Sequence, residues 1–188
     1  MGPLKDIKIF DLTRVLAGPH CTQILGDLGA DIIKVERVEN GDDTRKFAPP
    51  FMKDENGNDT DQSAYFSGTN RNKRSITLNL NSPEGQYIAK QLIAKSDILV
   101  ENFKVGTLAK YGLDYNTLKD EFPSLIYCSI TGFGQTGPYS KRPAYDALVQ
   151  AMGGVMSLTG DANGEPMKVG VSIADLMAGM YGTVSILA

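Results

Sequence analysis

Several short stretches carry residues able to do chemistry. Arg37 ends the apolar run Asp31–Glu36, and Asn70-Arg71-Asn72-Lys73-Arg74-Ser75 places three cations just before another such run. Guanidinium groups present a planar fork of donors that suits phosphate, so these positions are candidate anion contacts, with a solvated charged turn as the alternative. Glu101-Asn102-Phe103 closes a third apolar run with an amide and an aromatic ring, a pairing suited to a purine or a thioester carbonyl. Asp175, in Val171-Ser172-Ile173-Ala174-Asp175-Leu176, stands where an apolar helix begins. A carboxylate there gains from the helix dipole, and capping the helix is the structural reading of it. His20 is the single histidine, so serine and cysteine hydrolase triads and multi-histidine metal sites are hard to build. Its place near a helix start favours a structural role.

Gly132-Phe133-Gly134-Gln135-Thr136-Gly137 matches GxGxxG after a predicted strand. Dinucleotide binding needs a helix to open at the third glycine, and here Pro138 to Pro143 prolongs the loop instead. The match therefore fails on its context.

The elements that must position these residues alternate. Strands are predicted at residues 7–12, 31–36, 75–80, 97–101 and 125–130, with helices at 20–28, 82–95, 107–111, 115–121, 145–152 and from 173 to the end. Ser82 followed by Pro83 is a helix start with its cap residue and its first-turn proline. Residues 39–68 show little periodicity and are expected to form a long irregular excursion. The pattern predicts an α/β fold with a Rossmann-like, mainly parallel sheet and flanking helices. The final apolar helix has no stop signal, which predicts that the chain continues beyond it.

A chain of 188 residues with 41% hydrophobic and 22% charged residues has a globular composition and the length for one sizeable core. Its net charge of -3 provides no basic field for a polyanion, so nucleic acid is not an expected partner. Cys21 and Cys128 form no CxxC pair and suggest neither a zinc site nor a disulfide; no metal site is expected. No segment reads as a membrane span or a signal h-region, and a cytoplasmic enzyme, or a mitochondrial-matrix one in a eukaryote, is expected.

DLTRVLAGPHCTQILGDLGADIIKVE, GDDTR, NRNKRSITLNL, ILVENF, YCSITGFGQTGP and AYDALVQAMGG resemble, in order and spacing, the family III CoA-transferases. The resemblance implies transfer of coenzyme A between an acyl-CoA and a free carboxylic acid, a dicarboxylate such as succinate by the look of VLAGP and GDDTR. It implies no tightly bound cofactor, with coenzyme A as co-substrate. It also implies that residues 1–188 are the N-terminal, coenzyme-binding and nucleophile-bearing portion, that a C-terminal half is missing, and that the full-length protein is an interlocked homodimer. The family's nucleophilic aspartate falls on Asp175, and its coenzyme contacts fall on Arg37, Leu78, Asn102, Phe103 and Lys110. Tyr145 and Asp146 fall near the reacting acyl group. Departures from the family pattern at Leu16, Asn81 and Pro143 imply altered nucleotide contacts. A related racemase activity would need a histidine where Tyr145 stands; the other alternative is a chain that binds coenzyme A without turning it over.

Overall fold

The computed structural model describes residues 2–188. Five strands form one parallel sheet: β1 (Lys8–Asp11), β2 (Asp31–Glu36), β5 (Lys73–Thr77), β6 (Ile98–Glu101) and β7 (Ile126–Ser129), in the order β5-β2-β1-β6-β7. Every pairing is parallel. Helices α1 (Ala17–Asp27), α3 (Pro83–Ile93), α4 (Tyr115–Glu121), α5 (Asp146–Met152) and α6 (Ile173–Leu187) accompany it.

Successive strand residues point to opposite faces, and the central strands are covered on both, so their middle residues, such as Ile9-Phe10 and Ile98-Leu99-Val100, are apolar at consecutive positions, while edge strand β5 is largely polar and exposed. Phe10, Leu12 and Leu99 join Ile93, Leu113 and Leu118 on one face. Ile9, Ile32 and Val100 join Cys21, Leu25 and Ile186 on the other. The capping expected at Ser82 is present: its Oγ accepts the Gly85 N–H at 3.1 Å, with Pro83 beginning α3.

Two expectations are corrected. β5 runs from Lys73 to Thr77, two residues earlier than the alternation of 75–80 suggests, because Ile32 pairs with Lys73 and the register follows from there. The excursion 39–68 is also more ordered than its composition implies. It holds the antiparallel hairpin β3 (Phe51–Lys53) and β4 (Asp59–Ser63), then α2 (Ala64–Asn70). The hairpin turn is built by Asp54, whose Oδ1 accepts from the Asn56 and Asn58 N–H groups, while Ser63 caps α2 by accepting the Phe66 N–H at 2.9 Å. Polar β4 carries no hydrophobic alternation, so neither element leaves a periodic signal.

α6 lies directly on α1. A Cβ added to Gly179 would sit 2.5 Å from the Ala17 carbonyl oxygen and 3.3 Å from the Cys21 nitrogen. Four residues on, the Thr183 hydroxyl donates to the Cys21 carbonyl at 3.3 Å, and Ile186 reaches the cluster of Leu25. The two helices therefore run in the same direction. Because the obstruction at Gly179 is backbone, Gly179→Ala must push the helices apart, and thermal denaturation should show a loss of about 1–3 kcal/mol.

Candidate active site

In a parallel sheet, ligands bind beyond the carboxyl ends of the strands where the chain order reverses, and here β1 has β2 on one side and β6 on the other. The loop leaving β1 at that point is gripped from three directions. Lys34 Nζ donates to the Thr13 carbonyl at 2.9 Å. The Asn102 amide accepts from the Arg14 N–H at 2.8 Å and donates to the Arg14 carbonyl at 2.7 Å. Asp42 Oδ1 accepts from the Val15 N–H at 3.3 Å, and its Oδ2 pairs with Lys34 at 2.9 Å. These contacts hold Val15 at φ +70°, a left-handed conformation that a β-branched residue adopts only at a cost of about 1–3 kcal/mol.

Beside this loop lies a cavity of about 620 Å³, lined among others by Arg14, Arg37, Leu78, Asn81, Phe103 and Tyr111. The Arg14 guanidinium lies 4.7 Å from the centre of the Phe103 ring and makes no ion pair among the described residues. Arg37, by contrast, is paired with Asp43 and donates to the Gly41 carbonyl at 3.3 Å. A neighbouring cavity of about 750 Å³ is larger, but its charged lining is Lys104 against Glu101 and Asp114. The smaller cavity sets Arg14 and Arg37 against Glu36 and Glu39, and since Glu36 is already paired with Arg45, it suits a polyphosphate better.

Asp175 lies on α6 one turn before Gly179 and on the same face. The parallel packing of α1 and α6 therefore places it toward the start of α1, and it does not line the cavity. It is not the helix cap. It occupies the third position of α6, and the Ala174 N–H is taken by Asp146 Oδ1 at 2.8 Å, with the Asp175 N–H at 3.4 Å from the same oxygen. Partial burial, and then the Asp146 charge, raise the Asp175 pKa above the ordinary carboxylate value.

The structure thus gathers Arg37, Leu78 and Phe103 around one cavity and sets Asp146 against Asp175. Asn102 turns its amide to the Arg14 backbone. Lys110 lies on the 3-10 turn Leu108–Tyr111 outside the cavity lining, where its neighbour Tyr111 donates to Asn81 Oδ1 at 3.0 Å. Tyr145 precedes α5 and is 74% exposed. Two residues that sequence reasoning passed over belong to the site. Arg14 could have been found as a cation following a strand end. Tyr65 lay in the stretch read as irregular; burial, and then the charges of Asp175, Asp146 and Asp42, raise its pKa.

Comparison with known proteins agrees with this architecture. The chain is 52% identical over 186 residues to the succinate–glutarate CoA-transferase of Agrobacterium fabrum, covering 99% of this chain and 46% of the relative. It is 50% identical to the human succinyl-CoA:glutarate CoA-transferase, covering 99% and 41%. A CAIB/BAIF family protein from Brucella suis superposes with a TM-score of 0.93 at 52% identity, covering 99% of this chain and 48% of that one. A hypothetical protein from Mycobacterium tuberculosis gives 0.87 at 31% identity, covering 100% and 50%. The chain spans about half the length of the curated relatives it matches. The profile of CoA-transferase family III matches residues 4–188, and with the parallel sheet and these relatives it establishes that the chain belongs to that family.

Proposed function

We propose that residues 1–188 form the coenzyme-binding and nucleophile-bearing portion of an enzyme that moves coenzyme A from an acyl-CoA to a free dicarboxylic acid, with Asp175 as nucleophile. The observation that carries this reading is the half-buried Asp175 carboxylate, which caps nothing and stands beside Asp146. The names of the relatives supply the substrate class.

An Asp175 oxygen attacks the thioester carbonyl, the C–S bond breaks, and coenzyme A leaves as a thiolate from a mixed anhydride. The thiolate then attacks the aspartyl carbonyl, releasing the donor acid and leaving an aspartyl thioester. The acceptor carboxylate attacks that thioester, and the thiolate expelled in this step takes the new acyl group, restoring the Asp175 carboxylate. Electrons and protons balance with the two substrates alone. Asp146 is fixed as a hydrogen-bond acceptor at the head of α6, and Tyr65 offers a neutral donor to a carboxylate or to a developing oxyanion. Arg14, Arg37, Leu78 and Phe103 line the cavity that holds the coenzyme, and Lys110, on the adjoining turn Leu108–Tyr111, adds a further cation for its phosphates. Asn102 serves by fixing the loop that carries Arg14. In the complete protein a homodimer fits the exposed apolar residues Met180, Tyr181, Val184 and Leu187 of α6, and the proposed compartment is the cytoplasm.

Incubation with succinyl-CoA and a panel of acids including glutarate, mesaconate, malate and oxalate, followed by mass spectrometry of the coenzyme A products, tests the assignment. A new dicarboxyl-CoA formed with equimolar free succinate is expected. Exchange of an α-proton for deuterium without a new thioester would support the racemase reading instead.

Removing Arg14 tests the coenzyme contact. Arg14→Ala deletes the cavity's unpaired cation and should raise the acyl-CoA KM by about 10–100-fold, with kcat changing much less. A kcat collapse at unchanged KM would place Arg14 at the reacting carbonyl.

A further inference from the structure

The segment leading into α6 is held by a buried glutamine. Gln150, on α5, is 1% exposed. Its Nε2 donates to Asp146 Oδ2 at 2.6 Å and to the Val171 carbonyl at 3.4 Å, and its Oε1 accepts from the Val169 N–H at 2.8 Å. Ser172, the residue in the N-cap position of α6, makes no side-chain capping bond. The cap comes instead from Asp146, 28 residues away in sequence, through Oδ1. Both Asp146 oxygens are thereby occupied, one by the helix and one by Gln150.

We infer that Gln150 is a positioning residue for the proposed transfer: it orients the Asp146 carboxylate so that it caps α6 and stands beside Asp175, fixing where the attacking carboxylate sits. This rests on the reading of Asp175 as nucleophile. A primary amide suits the position because it donates to a carboxylate and accepts from a peptide N–H at once, without charge. An apolar residue there would strand a buried N–H and one Asp146 oxygen, and a carboxylate would face Asp146 as a like charge.

The groups around the first turn of α6 are few. Asp146 faces it from α5, its Oδ1 accepting the Ala174 N–H, and Tyr65 on α2 feels the charges of both carboxylates. His20 lies on α1, where its ring would be 3.2 Å from a Cβ on Gly179. Burial, followed by Arg71 and Lys73, lowers the His20 pKa, and burial, followed by the nearby carboxylates, raises that of Tyr65. Both are neutral near neutral pH, so Asp146 carries the charge that Asp175 feels.

An exchange of side chains tests this in the full chain. Gln150→Glu sets two carboxylates face to face, and Asp146→Asn sets two amide donors against each other; each should lower kcat by about 100-fold while leaving the acyl-CoA KM within a few-fold. The Gln150→Glu loss should shrink on acidification, as the facing pair takes up a proton. In the double variant the amide now at 146 donates to the carboxylate now at 150, which also accepts from Val169, and net charge is unchanged. The double variant should recover at least about 10-fold over the poorer single variant. The acidic limb of its pH–rate profile should lie below that of the wild type, because the negative charge has moved away from Asp175. Single variants with wild-type kcat, or a double variant no better than the singles combined, would overturn the inference. So would recovery of thermal stability without the shift of the acidic limb. Hydroxylamine trapping on the wild type is run alongside: a wild type that gives no hydroxamate at Asp175 refutes the nucleophile reading itself, whereas labelled wild type with unaffected variants refutes only the role of Gln150.

Discussion

Asp175→Asn is expected to abolish transfer and to leave the protein more stable. An amide is too weak a nucleophile to form the anhydride, so kcat should fall at least about 1,000-fold while acyl-CoA still binds. The stability change has the opposite sign. Burial and Asp146 raise the folded-state pKa of Asp175, so the group stabilises the fold only below its unfolded pKa, and that contribution is lost as pH rises through the folded value. Asparagine imitates the protonated acid at every pH. The variant should therefore have the higher Tm near neutral pH, and the difference should vanish in acid. The dipole of α6 favours a negative charge in its first turn and works against burial and Asp146, so it reduces the size of the expected effect. A variant that keeps its activity, or one that is less stable at neutral pH, would contradict this reading.

The second large effect is expected at Lys34. Its side chain is 1% exposed, and its ammonium donates to both the Thr13 carbonyl and Asp42 Oδ2. Lys34→Met leaves the Asp42 carboxylate buried without its cation, which costs about 3–5 kcal/mol when one partner of a buried pair is removed. Burial acts against the ionised form of Asp42, but Lys34 and the hydrogen bonds from Thr44 hold its pKa below the ordinary value. The stability it provides is present above the unfolded carboxylate pKa of about 4 and is lost as pH falls through the folded value. Without Lys34 the Asp42 pKa rises, so the deficit of the variant should be greatest near neutral pH and smaller near pH 4. Urea denaturation at the two pH values measures this. The strained Val15 turn should also relax, raising the acyl-CoA KM.

The strands of the sheet were legible because both of its faces are covered: runs such as Ile98-Leu99-Val100 are apolar at every position, and capped helices such as Ser82-Pro83 separate them. α2 and the β3–β4 hairpin were not, since Asp54 and Ser63 build them through side-chain hydrogen bonds that leave no period. The register of β5 depends on Ile32 meeting Lys73, a pairing that no local pattern records. At the site, Arg37 and Phe103 stood out as strand-end residues. Asn102 was placed by its chemistry, but its amide proves to hold the Arg14 backbone. Gln150 looks like a surface residue on a short helix, and its three hydrogen bonds reach backbone and side-chain groups up to 21 residues away. The capping reading of Asp175 failed for the same reason: the acceptor at the head of α6 comes from α5, a tertiary contact that helix-start rules do not contain.

Trapping with hydroxylamine during turnover addresses the central claim most directly. With acyl-CoA and acceptor acid present, the nucleophile should intercept the aspartyl anhydride or aspartyl thioester at the Asp175 carbonyl and convert it to a hydroxamate. Peptide mass spectrometry should then place the mass change on the peptide containing Asp175, only when acyl-CoA is supplied, and with parallel loss of activity. An active enzyme that acquires no hydroxamate, or acquires it on another carboxylate such as Asp146, would contradict Asp175 as the nucleophile.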